Sequence, residues 1–292
     1  MRKKIFTTLF ITFWAVSVSG CGTSDTPPSG NTTESEQTEV LYSNLTDQSS
    51  RDEVVSALQS HGVSQAQTDT LLAWTDDFNS RVTEPALPEG FVSMPDDYVD
   101  YSTLLFDYKE LPDGTIFPEA NCRLTAFLLM KNAISTNGSA DESDTYLMFD
   151  IEAIDTIPEY QMDAEDRANF ITLFHAVSVD GADTQEEHIA KIQAAWDAWD
   201  IGIDSNAGMS LIEVYLHSTF DNVRFVGHTG VLLETENGLL FVEKYGPRAP
   251  FQATKFKNRG ELTDYLLARP DLYGDESELP PIVLENGQPI NE

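Results

Sequence analysis

The chain has 292 residues, with 49 acidic against 17 basic side chains and a formal net charge of −32. So acidic a surface repels nucleic acid and anionic lipid, which argues against both as partners bound by charge, and it suits solubility outside the cell. The sequence has no HExxH, HxxxH, CxxC, Walker loop, GxGxxG or GxSxG, so zinc, nucleotide and serine-elbow chemistry lack support and neither a cofactor nor a metal is expected.

The first residues read as an export signal. Met1-Arg2-Lys3-Lys4 is a charged start, and an apolar run from Ile5 to Val18 follows that is too short to span a membrane as a mature helix. It ends Val18-Ser19-Gly20-Cys21, which resembles the bacterial lipobox. That resemblance implies that the sulfur of Cys21 takes a diacylglyceryl group and becomes the mature N-terminus, a lipid anchor holding the protein outside the cytoplasm on the membrane. An ordinary signal peptide cut nearby is the alternative. The expected organisation is a signal over residues 1–20, a flexible Thr/Ser/Pro/Glu tether over 21–50, and one α+β domain over 51–292. With Cys21 lipidated, Cys122 is the sole cysteine left, either an inert core residue or a reactive thiol.

Apolar spacing predicts a helix over 51–60 and another from Ser64 that stops before Pro85, with Leu71, Leu72, Trp74, Phe78 and Val82 on one stripe. Residues 83–97 hold three prolines and read as irregular. The aromatic stretch 98–108 fits either a helix or a strand. Asn121-Cys122-Arg123 then opens a largely apolar helix, a central buried one. A thiol at a helix start lies at the positive end of the backbone dipoles, which favours thiolate. Residues 146–154 read as a strand, 163–175 and 185–199 as amphipathic helices, and 206–219 as a further helix with Leu211, Ile212, Tyr215 and Leu216 inward. Asp204-Ser205-Asn206-Ala207-Gly208 is calcium-loop-like in composition but lacks the glycine at the sixth position.

From Val223 the period becomes two. Two strands, starting near Gly227 and Leu239, flank the turn Glu236-Asn237-Gly238. A third strand is expected over 250–256, a helix over 260–267 and an edge strand over 282–284. The hairpin sets a test of register. If Thr235 pairs near Leu240, His228 falls opposite a residue near Tyr245, and Glu243 falls near Gly230 on the same face as His228. A slip of one residue separates them. Glu234, Tyr245 or an asparagine elsewhere are the alternative third groups, and Gly227 and Gly230 mark either a bulge or a groove.

A cysteine heading a helix, then a histidine opening a strand, then a polar residue on the next strand: this order resembles the papain-like cysteine hydrolases, in particular NlpC-type cell-wall enzymes. The resemblance implies Cys122 as nucleophile, His228 as general base and Glu243 as the residue orienting it. It also implies an oxyanion donor at Asn121 or the Cys122 N–H, and Arg123 and Lys244 beside the substrate, an amide such as a cell-wall peptide. The Asn-Cys-Arg context and the long insertion between Cys122 and His228 depart from that family. The chain also resembles lipoproteins of Gram-positive type that pair NCR with GHTG and imply no activity, so a non-catalytic binding or structural lipoprotein is the competing expectation. Lys244, Arg248, Lys255, Lys257 and Arg259 follow the site closely. They are expected either to face a carboxylate-bearing substrate or to pair within the chain.

Overall fold

The computed structural model describes residues 39–204, 208–274 and 276–290. The signal, Cys21 and most of the tether lie outside the described residues, as does most of the Asp204–Gly208 loop. In chain order the described elements begin with β1 Leu41–Ser43, α1 Gln48–Ser60, α2 Gln65–Asn79, β2 Val82–Glu84, β3 Val92–Ser93 and β4 Leu105–Phe106. Next come α3 Cys122–Met130, β5 Ile134–Ser135, α4 Met148–Thr156, α5 Ala164–Phe174, β6 Val177–Ser178 and α6 Gln185–Ala198. The last third holds β7 Gly202–Ile203, β8 Met209–Ser218, β9 Val223–Thr235, β10 Gly238–Lys244, β11 Phe251–Phe256, α7 Arg259–Ala268, β12 Ile282–Glu285 and β13 Gln288–Pro289.

The fold is mixed α+β around one large antiparallel sheet, in the order β13-β12-β8-β9-β10-β11-β1-β3, with β6 added on β9. One face is covered by the helices that precede the sheet. Val54, Leu71, Phe78, Phe127, Phe170, Phe174 and Trp196 pack there on Leu211, Tyr215, Val231, Leu240 and Val242. The other face carries α7, where Leu262, Tyr265 and Leu266 meet Ile212, Val214, Leu232 and Phe241. No helix among the described residues is long and apolar enough to cross a membrane.

Local chemistry starts the helices where the sequence places them. Ser64 with Gln67 and Thr184 with Glu187 form capping boxes that satisfy free N–H groups at the heads of α2 and α6. Asn121 and Asn258 cap α3 and α7.

Three expectations are corrected. Residues 209–218 are a strand, not a helix: β8 lies between β12 and β9 and is buried on both faces, so its apolar run lacks the alternation that marks a half-buried strand. Residues 146–154 are a 3₁₀ turn running into α4, not a strand; Asp144 accepts from the Tyr146 N–H at its start. Order also begins before residue 51, because β1 pairs with both β11 and β3 and α1 starts at Gln48.

Candidate functional site

Cys122 is the first residue of α3, a helix that packs on β8, β9 and β10. Its two neighbours hold it in place. The Asn121 side chain accepts from the Leu124 N–H through Oδ1 and donates through Nδ2 to Asp150 Oδ1 at 2.6 Å. Arg123 clasps the same buried Asp150 through Nε and Nη2, the latter at 2.6 Å, and donates through Nη1 to the Val226 carbonyl of β9 at 3.0 Å. Residues flanking the sulfur thus tie α3 to α4 and to the strand bearing the histidine. Asn121 is committed at both ends of its amide, and Arg123 is paired with Asp150.

A bulge aims the imidazole. β8 pairs Val214 with His228 and Tyr215 with Val226, which leaves Gly227 as the extra residue of β9. Val226 faces the large helical layer, whereas His228 shares the face of Val214 toward α7. Strict alternation would have put both on one face. A Cβ on Gly227 would run into the Leu216 side chain, so the bulge needs glycine.

The hairpin register pairs Gly238 with Thr235, Leu240 with Leu233 and Val242 with Val231. Continued by one step, it sets Glu243 opposite Gly230, on the His228 face. The expected geometry results: His228 Nε2 and Glu243 Oε2 are 2.6 Å apart. The sulfur of Cys122 lies 4.0 Å from the carbonyl oxygen of Gly227, the residue before His228, and the His228 imidazole is close enough to lower the thiol pKa. Since Nε2 is taken by Glu243, Nδ1 is the nitrogen left for the sulfur.

Two further groups, absent from the sequence reading, complete the network. Tyr265 of α7 donates its hydroxyl to Glu243 Oε1 at 2.5 Å. Arg269, just past the end of α7, donates through Nη1 to Glu243 Oε2 at 2.9 Å and through Nη2 to Asp271 at 2.7 Å and to the Tyr245 carbonyl at 2.9 Å. Its guanidinium lies 3.6 Å over the Tyr245 ring. The one sequence signal that could have found either is a tyrosine among the inward leucines of α7, whose hydroxyl needs a buried partner.

Burial and charge act against each other in this cluster. Burial pushes the Cys122 thiol up, but the adjacent His228 outweighs it and the thiol is held below its ordinary range. Burial and the Arg269 charge push His228 down, yet Cys122 and Glu243 outweigh them and hold it above its ordinary range. Burial raises Glu243, and His228, Arg269 and Tyr265 bring it below the usual carboxylate range. The arrangement stabilises a thiolate–imidazolium pair steadied by a carboxylate. Cys122 is 7% exposed and His228 2% exposed, so the pair is nearly closed to solvent.

Lys244 belongs to the opposite face. Its side-chain nitrogen donates to the Ala249 carbonyl and sits over the rings of Phe78 and Phe251, away from Glu243. The basic run after it pairs within the chain: Lys255 with Glu53, Lys257 with Glu261, and Arg259 with Glu234 and Glu285. Arg248 lies over the Tyr108 ring. Of the two expectations for this run, these ion pairs agree with pairing within the chain, and Glu234 is engaged by Arg259 rather than by His228. No cluster of three or more His, Cys, Asp or Glu side chains able to hold a metal occurs among the described residues.

No curated protein and no solved structure matches the chain. A family model, described as a domain of unknown function (DUF4300), matches residues 41–290, from the first strand of the sheet to the end of its last. On that match, which spans the sheet, both helical layers and every residue of the Cys122–His228–Glu243 cluster, the chain belongs to the DUF4300 family.

Proposed function

We propose that this protein is a papain-like cysteine hydrolase that cleaves an amide bond, and that it works outside the cytoplasm from a lipid anchor on Cys21. The observation that carries the enzymatic reading is the placing of the Cys122 sulfur at Gly227, beside the His228–Glu243 pair, although the cysteine and the histidine are 106 residues apart along the chain. A helix-heading thiol against an antiparallel sheet, with the base on one strand and its orienting carboxylate on the next, is the setting that papain-like chemistry requires.

Each residue has a defined role in this mechanism. The Cys122 thiolate attacks the amide carbonyl carbon. The resulting oxyanion is met by the Cys122 backbone N–H, which as the first of the helix has no acceptor within it. The His228 imidazolium gives its Nδ1 proton to the leaving nitrogen as the C–N bond breaks, leaving a thioester. His228 then takes a proton from water, the hydroxide adds to the thioester carbonyl, and the thiolate departs as the acid is released. Glu243 keeps Nε2 protonated throughout. A peptide stem of the cell wall is a substrate within reach of an anchored enzyme.

A second reading, a non-catalytic binding or structural lipoprotein, is favoured by the near-closure of the Cys122–His228 pair. Alkylation by iodoacetamide against pH separates the two. The enzyme reading expects Cys122 to react well below the ordinary thiol range and His228→Ala to lower the rate at pH 6 by about tenfold or more. A thiol that reacts solely on unfolding, in both proteins, overturns it. For the anchor, labelled palmitate should enter the wild type and not Cys21→Ser.

A further inference from the structure

A cavity of about 410 Å³ opens on the helical side of the sheet, walled by the rings of Trp74, Phe78, Phe117, Tyr160 and Phe251. Lys244 lines it and is 1% exposed. Among the described residues its one hydrogen bond goes to the Ala249 carbonyl, so an amine with further donor capacity stands in an aromatic-walled space. Burial drives that amine strongly toward its neutral form. Two carboxylates of the wall, Asp77 and Glu119, are tied to Arg81. Ala120 lines the same cavity and precedes Cys122 by two residues, which is at most about 7 Å of backbone.

We propose that this cavity is the specificity pocket of the thiol site, and that it takes an aromatic side chain carrying one neutral hydroxyl, a tyrosine of a peptide substrate, whose oxygen meets the Lys244 amine. The cavity is large enough for one aromatic side chain. Asp77, Glu119 and Lys109 of its wall are engaged in ion pairs, and Lys244 is the buried polar group among the rings with donor capacity to spare, the pattern of a pocket that selects by shape and one hydrogen bond. An anionic side chain fits poorly, because Asp77, Glu119 and Glu159 line the space, Lys109 of the same wall is already paired with Asp77, and the buried Lys244 amine is costly to charge. The assignment rests on the hydrolase reading for its consequence but not for the binding itself.

The test uses the full chain and a set of peptidyl acyloxymethyl ketones that differ in one side chain: Tyr, Phe, Leu, Ala or Glu. The rate of Cys122 labelling is read by mass spectrometry, with iodoacetamide as the control for thiol reactivity. Tyr is expected to exceed Ala and Glu by about tenfold or more. Lys244→Met, which keeps the aliphatic stem, should erase the advantage of Tyr over Phe while keeping that of Phe over Ala. Ala73→Trp, which fills the cavity from α2, should abolish the ranking and leave the iodoacetamide rate unchanged. Equal rates for all five reagents, or a ranking that survives Ala73→Trp, overturns the pocket. Where folded Cys122 resists every reagent, iodoacetamide included, the hydrolase reading fails by itself. The pocket then stands or falls on equilibrium binding of N-acetyl-tyrosinamide, followed by Trp74 fluorescence in the wild type and lost in Ala73→Trp.

Discussion

Glu243 accepts from His228, Tyr265 and Arg269 while fully buried, so its charge is stabilised by three donors and exposed to no water. Removing a donor leaves a buried carboxylate oxygen unsatisfied. Tyr265→Phe should cost about 1–3 kcal/mol in urea unfolding and should move the acid limb of Cys122 alkylation. Arg269→Met breaks a buried ion pair and should cost about 3–5 kcal/mol. A different carboxyl contributes a pH dependence of stability of the opposite sign. Glu213 on β8 is fully buried and its pKa is pushed up to about 8, chiefly by burial. Its folded-state pKa lies above the unfolded one, so the folded state binds the extra proton. Stability therefore falls as pH rises from the ordinary carboxylate range to about 8 and levels above it. Glu213→Gln keeps an acceptor for the Gly287 N–H and a partner for Tyr215. It should remove that falling limb and raise Tm at pH 9 by roughly 5 °C, as read by calorimetry.

At the scale of the element, the bulge in β9 decides whether there is a site. Gly227 lets Leu216 close against the strand and turns His228 to the Glu243 face. Gly227→Ala should destabilise by about 1–3 kcal/mol through overpacking. The double change Gly227→Ala with Leu216→Ala should recover part of that loss, and the coupling energy from the four proteins measures the contact. No recovery would show that the bulge needs glycine for another reason. β8 makes the complementary point. Its sequence, MSLIEVYLHS, has apolar residues at helical spacing because both of its faces are buried, and the pairing with β12 and β9 is what makes it a strand.

For the whole molecule, one sheet separates two cores, and the chemistry lies where α3 on one side and α7 on the other approach the same bulged strand. The sheet's far edge depends on the short N-terminal strand β1, which covers β11. A chain starting at Asn44 should melt several degrees below one starting at Glu39 and should aggregate more readily, because β11 loses its covering strand. The excess of acid over base is a property of the same scale. Self-repulsion at −32 formal charge should make Tm at pH 7.5 rise between low salt and about 0.5 M NaCl, where screening is within a few ångströms.

Local sequence was enough to determine the capped helix starts, the position of Cys122 at the head of α3 and a tight hairpin near Asn237, whose two-residue turn is Glu236-Asn237; the register that pairs His228 with Glu243 was one of the alternatives the sequence left open. The helix starts and the hairpin are decided by side chains acting on backbone within a few residues, or by a two-residue turn that sets the alignment of the strands it joins. Contacts over long separations were not legible. Asp150 gripping Asn121 and Arg123, Tyr265 and Arg269 reaching Glu243, and Lys244 turned into an aromatic cavity all join segments whose proximity no local pattern encodes. Period and propensity report what a segment prefers alone. Burial on both faces at β8, and the polar network behind Glu243, arise only when the layers close and every buried polar group has to find a partner.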